Sequence, residues 1–182
     1  NTVCEIGSGF GTNIHLLNSL FPNIKKFLIV DIPPMLYVTN QYLKSFYPND
    51  IIDYRKVRDL KRIEFSKNDK KEIIIIPSWL FHKFEAENID YFVNHASFQE
   101  MEKDIVNIYI KKIINLNPKY ISLYTLPNGL INNFLGQNEP ITSAYLLDQF
   151  DHLYNFKKET SVYDPYYSVM EHLIGISKDH CK

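Results

Sequence analysis

The chain has 182 residues, 45% of them hydrophobic and 23% charged, with a formal net charge of −1. It is long enough for one globular domain with a sizeable core, and its Lys and Arg residues are scattered, the densest group from Arg55 to Lys71 being broken by acids. Phosphate binding calls for clustered basic charge, which argues against nucleic acid as the main partner.

No apolar run approaches the roughly 20 residues that span a bilayer, and no charged-then-apolar signal segment opens the chain. A cytoplasmic protein without membrane insertion is expected. Two cysteines, Cys4 and Cys181, are too few for a disulfide framework or zinc cluster, so Cys4 reads as a small core residue. Asn1 stands directly before a core strand, an abrupt start that reads as the C-terminal portion of a longer protein.

The first stretch, Thr2-Val3-Cys4-Glu5-Ile6-Gly7-Ser8-Gly9-Phe10-Gly11, is a buried strand followed by a tight turn with glycines on alternate positions. Glycine accepts positive φ and lets a ligand approach the backbone. The order differs from the dinucleotide fingerprint G-x-G-x-x-G, which receives a pyrophosphate. An acid, Glu5, precedes the first glycine and would repel phosphate while suiting a cation.

Ile14, Leu16, Leu17, Leu20 and Phe21 then fall at helical spacing before Pro22-Asn23. Lys26 to Asp31 is a second buried strand ending in an acid twenty positions after Gly11, the separation at which such an acid reaches ribose hydroxyls. Because Pro33 and Pro34 follow, Asp31 is alternatively a cap of the next helix, over 35–47.

The polar stretch 51–71 presents a solvated face. Glu72 to Ile76 is the third strand, and Ser78 and Trp79 follow at its carboxyl end, where ligands sit in doubly wound sheets. There they are placed to hold an adenine; the alternative is that Trp79 packs the next short helix. Strands over 89–94 and 120–126 flank a helix ending at Asn117-Pro118. Residues 130–142 read as an insertion or lid. A helix near 143–153 and strands near 156–163 and 169–177 close the chain as an antiparallel hairpin. The alternation predicts a doubly wound, mainly parallel seven-stranded sheet with helices on both faces and an antiparallel last strand.

The Glu5 to Gly11 turn resembles motif I of the class I S-adenosylmethionine (SAM) methyltransferases, whose Rossmann-like fold matches this order of elements. With the segments VDIPPMLYVTNQYL, IIPSWLF and DYFVNHASFQEM, the chain more closely resembles a bacterial sugar O-methyltransferase family. The resemblance implies a single SAM-binding domain over 1–182 that methylates a hydroxyl of a small molecule or glycan. It places Glu5, Gly7, Ser8, Gly9 and Gly11 around the methionine part of the cofactor, Asp31 with Ile32 at the ribose, and Ser78 and Trp79 near the adenine. Asn94, His95, Ala96 and Ser97 would line the methyl-transfer side.

Methyl transfer from a sulfonium is an in-line displacement, so positioning supplies much of the rate. A hydroxyl acceptor must also lose its proton. His95 is the first candidate base, because its free pKa lies near neutrality, and Glu100 is the second, as base or as the group that orients His95 or a sugar hydroxyl. Each has a structural alternative: His95 bonding backbone at a strand end, Glu100 in the first turn of a helix. His15, His82, His152, His172 and His180 show no partner pattern and read as structural or surface residues. No ligand spacing points to a metal. Two other functions stand beside this one: a nicotinamide-dependent oxidoreductase, which predicts the absent G-x-G-x-x-G, and a non-catalytic SAM-binding module.

Overall fold

The computed structural model describes residues 1–130, 139–161 and 169–180. The chain divides into two compact units, Asn1–Asp90 and Tyr91–Lys182.

The first unit follows a repeated strand-helix plan. Strand β1 (Thr2–Ile6) leads through the glycine turn into α1 (Thr12–Leu20), then β2 (Lys26–Asp31), α2 (Pro33–Phe46), the two-residue β3 (Ile51–Ile52), the single-turn α3 (Tyr54–Val57) and β4 (Glu72–Pro77). A 3-10 turn, Ser78–Lys83, follows β4 directly. The strands lie in the order β3-β4-β2-β1, all parallel. Ile73 to Ile76 in β4 and Phe27 to Val30 in β2 are each no more than 1% exposed. At about 2 kcal/mol for each large apolar side chain buried, this slab holds the sheet, and β-branched Ile suits it. Both faces of parallel strands are covered, which is why these runs are continuous rather than alternating.

Lys26 is the exception in β2. It is buried, and its Nζ lies 3.2 Å from Glu72, its register partner, while donating to the Lys70 carbonyl at 2.8 Å. α1 departs from its apolar spacing: Ile14 is fully buried, whereas Leu16 and Leu20 are exposed. Among the described residues, the strand absent from the sequence-based sheet of seven is β3. It lies in the 51–71 stretch, whose remainder is largely solvated, with Arg62 pairing to Glu64 and Glu85 at the surface.

The second unit begins with β5 (Tyr91–His95), a 3-10 turn at Phe98–Glu100, α4 (Lys103–Leu116) and β6 (Tyr120–Thr125). It continues with α5 (Ser143–Phe150), β7 (Tyr154–Ser161) and β8 (Met170–Ser177). β5 and β6 are parallel, β8 lies antiparallel between β6 and β7, and the order is β5-β6-β8-β7. The last strand is therefore inserted antiparallel, as expected. β7 is the edge of this unit's sheet and carries Lys157, Lys158 and Glu159, charges that discourage further strand pairing.

Most of the insertion expected at 130–142, and Cys181, lie outside the described residues. The flanks of that insertion meet: Ser143 N donates to the Pro127 carbonyl at 3.2 Å, Ile141 is fully buried, and a Cβ on Gly129 (φ +67°) would stand 2.6 Å from the Ile141 carbonyl oxygen.

Candidate functional site

In the first unit, three predicted features come together at the carboxyl ends of β1 and β2. Gly7, Gly9 and Gly11 all have positive φ, at 78°, 54° and 84°, so the turn is one that L side chains resist. Their surroundings separate their tasks. A Cβ on Gly11 would meet Thr39 Cγ2 at 3.0 Å and Leu43 at 3.2 Å, so this glycine lets α1 close on α2. A Cβ on Gly9 would meet nothing within 4 Å. Steric crowding within the protein does not explain Gly9; open space over the turn is what it leaves.

Asp31 braces this turn. Its Oδ2 accepts from Ser8 Oγ and from Gly9 N, each at 3.2 Å, and its Oδ1 accepts from Ile32 N at 2.7 Å. The N-cap of α2 is Ile32, with no side-chain cap bond, so Asp31 does not cap that helix. Thr39 of α2 donates to the Gly9 carbonyl at 2.6 Å and shares a hydrogen bond with Ser8 Oγ at 3.2 Å.

Glu5 lies beneath the turn and is 2% exposed. One oxygen accepts from Asn13 Nδ2 at 2.9 Å; the other, Oε2, is buried without a hydrogen-bond partner. Burial pushes its carboxyl up to about 7, opposed by the bond from Asn13 and aided by the charge of Asp31. An unpaired buried carboxylate oxygen is costly, and a cation or donor brought to it would relieve that cost.

At the end of β4, Ser78 opens the 3-10 turn and Trp79 is 58% exposed. More than half of Trp79 is left uncovered by the short helix in which it lies. With Pro33, Tyr37, Asn40 and Tyr54 it lines a cavity of about 270 Å³.

The second unit carries the remaining predicted residues. Asn94 is buried, and its Oδ1 accepts from Phe98 N at 3.0 Å, so it shapes the loop after β5. Ala96 sits at φ +61° and donates its N–H to the Tyr124 carbonyl at 2.7 Å; a left-handed alanine costs roughly 1–2 kcal/mol. Ser97 precedes the 3-10 turn, and Glu100 ends it, exposed, ahead of α4.

The ring of His95 points its Nε2 to Ser122 Oγ at 2.9 Å, and that hydroxyl also meets His172 Nε2 at 2.7 Å. Glu100 therefore does not hold this nitrogen. Burial, with the nearby His172, pushes His95 down to about 4. His172 is also lowered by burial, an effect opposed by Glu159. Ser122 and His172 were missed on sequence because only the strand register brings them to His95. Among the described residues, no group of three or more His, Cys, Asp or Glu side chains is placed to hold a metal ion, and no helix is long and apolar enough to cross a membrane.

No protein-family model and no curated protein matches the chain. Solved structures do. The small RNA methyltransferase HEN1 is 13% identical with a TM-score of 0.64 over 98% of this chain, which spans 23% of that protein. The methyltransferase domain of a bacterial Hen1 is 13% identical, with a TM-score of 0.61 over 96% of this chain and 89% of its own. The N-methyltransferase NodS from Bradyrhizobium japonicum, solved with S-adenosylhomocysteine, is 11% identical, with a TM-score of 0.63 over 98% of this chain and 78% of its own. The chain has the Rossmann-like fold of these methyltransferases. The expected doubly wound architecture stands on this likeness, which at such identities speaks for fold alone.

Proposed function

We propose that the chain is a SAM-dependent methyltransferase that acts on a hydroxyl group, with a sugar or glycan as the acceptor class. The observation that carries the reading is the turn after β1, where the open space over Gly9 stands with the orphaned Glu5 Oε2 below and Asp31 beside it. These groups fit SAM, whose ammonium and sulfonium are cationic. Neutralising Glu5 would relieve a buried carboxylate, whereas a pyrophosphate would face it.

When bound, SAM supplies an electrophilic methyl group. The chain's own residues bind and orient. In this reading Gly7, Ser8, Gly9 and Gly11 let the backbone meet the methionine part, and Glu5 balances its charge. Asp31 has three of its roughly four acceptor positions engaged by the turn, so a ribose diol would share or displace the bonds from Ser8 and Gly9. Ile32, Ser78 and Trp79 border the adenine, the indole offering an exposed face for stacking. Asn94, Ala96 and Ser97 shape the loop on the acceptor side, His95 takes the hydroxyl proton, and Glu100 binds acceptor hydroxyls. No metal is assigned a role.

The structural neighbours include a small RNA methyltransferase and an N-methyltransferase, so they do not choose the acceptor, which rests on the segment resemblance. The net charge of −1 supports a neutral small molecule or glycan over RNA. The test is calorimetric titration with SAM, S-adenosylhomocysteine and NAD, followed by transfer of labelled methyl to a glycan panel. Binding of NAD alone would return the chain to the oxidoreductase reading. SAM binding without transfer to any acceptor would favour the non-catalytic module.

A further inference from the structure

The second unit places Glu159 of β7, His172 of β8, Tyr124 of β6 and His95 of β5 in one register row, each paired with the next. The two imidazoles flank Tyr124 with ring centroids 6.0 and 6.1 Å from it and 5.8 Å from each other. Ser122 stands two residues back along β6 on the same face and is 1% exposed. Its hydroxyl contacts both rings through the same nitrogen, Nε2.

A serine hydroxyl has one proton and two lone pairs. It can bond both rings by accepting from each Nε2–H, or by accepting from one Nε2–H and donating to the other, bare Nε2; only the second arrangement conducts a proton. Two neutral rings joined in the second way are in opposite tautomers, and a proton passed through the hydroxyl from one ring to the other exchanges them once the first ring has gained, and the second has lost, a proton at Nδ1. We propose that His95, Ser122 and His172 form a proton relay that carries a proton received at His95 across the sheet to the β7 edge, an inference that rests on His95 being the base of the proposed reaction.

The step balances. His95 begins with its proton on Nε2 and takes the acceptor's hydroxyl proton at Nδ1. Its Nε2–H bond breaks as that proton passes to Ser122 Oγ, whose own proton passes to His172 Nε2. His172, now doubly protonated, loses its Nδ1 proton to water. One proton enters, one leaves, and exchange with water restores the starting tautomers. Direction comes from charge. Burial opposes a cation on His95, while His172 is less buried and faces the Glu159 carboxylate. Tyr124, His95 and Glu159 are the titratable groups paired beside it, and Lys157, 2.6 Å from Glu159, moderates that attraction without cancelling it.

The experiment reads histidine ring nitrogens by long-range ¹H–¹⁵N correlation in the 182-residue chain, with no ligand added, from pH 8 to pH 4. At pH 7.5 one of the two Nε2 atoms should carry hydrogen and the other should not. The first proton taken up on acidification should doubly protonate His172 while His95 stays neutral, and Glu159→Gln should shift that event to lower pH. Ser122→Ala should uncouple the two tautomers, and Ser122→Thr, which keeps the hydroxyl, should restore the coupling. Equal Nε2 states in both rings, first protonation at His95, or unchanged tautomers in Ser122→Ala would each overturn the relay. The first two measurements need no variant, so a misfolded Ser122→Ala leaves the question decidable. Calorimetry with SAM on the same sample separates the outcomes, because loss of SAM binding sinks the proposed function while the ring states still judge the relay.

Discussion

Glu5→Gln isolates the buried charge under the glycine turn. Glutamine keeps the shape and the bond to Asn13 but cannot ionise. In the folded chain Glu5 titrates near 7, against 4.5 as the ordinary value, an interval worth about 3 kcal/mol. An acid raised in this way binds its proton more tightly folded than unfolded. The wild type should therefore lose that stability as pH climbs from 4.5 through 7, and keep it below 4.5. The variant lacks the slope, so its advantage over wild type should widen by about 2.5 kcal/mol between pH 5 and pH 8.5. Urea unfolding of both proteins at the two pH values measures it. SAM titrations should show the opposite cost: wild-type affinity rises with pH through 7 as the carboxylate forms, and Glu5→Gln binds weakly at every pH. A stability difference that stays constant with pH would refute the assignment of a buried, titrating carboxylate at Glu5.

Asp31→Ala removes three hydrogen bonds from the turn, and since each bond to a charged group is worth about 1.5–3 kcal/mol, it should lower both SAM affinity and thermal stability; full affinity in calorimetry would dissociate Asp31 from the cofactor. Gly9→Val should abolish SAM binding yet leave a folded domain by circular dichroism, whereas Gly11→Ala, pressed on Thr39 and Leu43, should lose about 2 kcal/mol or more in urea unfolding. Normal SAM binding by Gly9→Val would show that the space over Gly9 is not ligand space. The sole tryptophan, Trp79, is exposed, so its emission should change on SAM addition, and silence at saturation would move the adenine elsewhere. His95→Ala should reduce methyl transfer by about 10²–10⁴-fold with little change in SAM affinity; unchanged turnover would return His95 to a structural role.

The turn was legible because its chemistry is local. Three glycines and an acid within seven residues, and a second acid at a fixed distance, describe a β-α-β start without knowledge of the fold. Ile73 to Ile76 announced a buried strand by β-branching alone. Other features depend on partners far away in sequence. Ser122 and His172 are 50 residues apart, and nothing marks them until β8 lies antiparallel on β6. β3 holds only two residues, too few for a periodic signal. Leu16 and Leu20 carry helical spacing, but which face of α1 is covered depends on what packs there. Asp31 was read for its reach towards a ligand, and its second task of holding Ser8 and Gly9 appears only in three dimensions.

The neck formed by Pro127, Gly129, Ile141 and Ser143 bears on how such a protein diversifies. Its two sides are fastened to each other by backbone contact and by the buried Ile141, so the sheet is insulated from whatever length of chain passes between them. Closure entropy grows slowly with the length of a connecting segment, by about 0.6 kcal/mol for each doubling. The segment can thus be shortened, extended or exchanged while β6 and α5 keep their places. Mutation has a plot of sequence here, fenced off from the framework that would otherwise bear the cost.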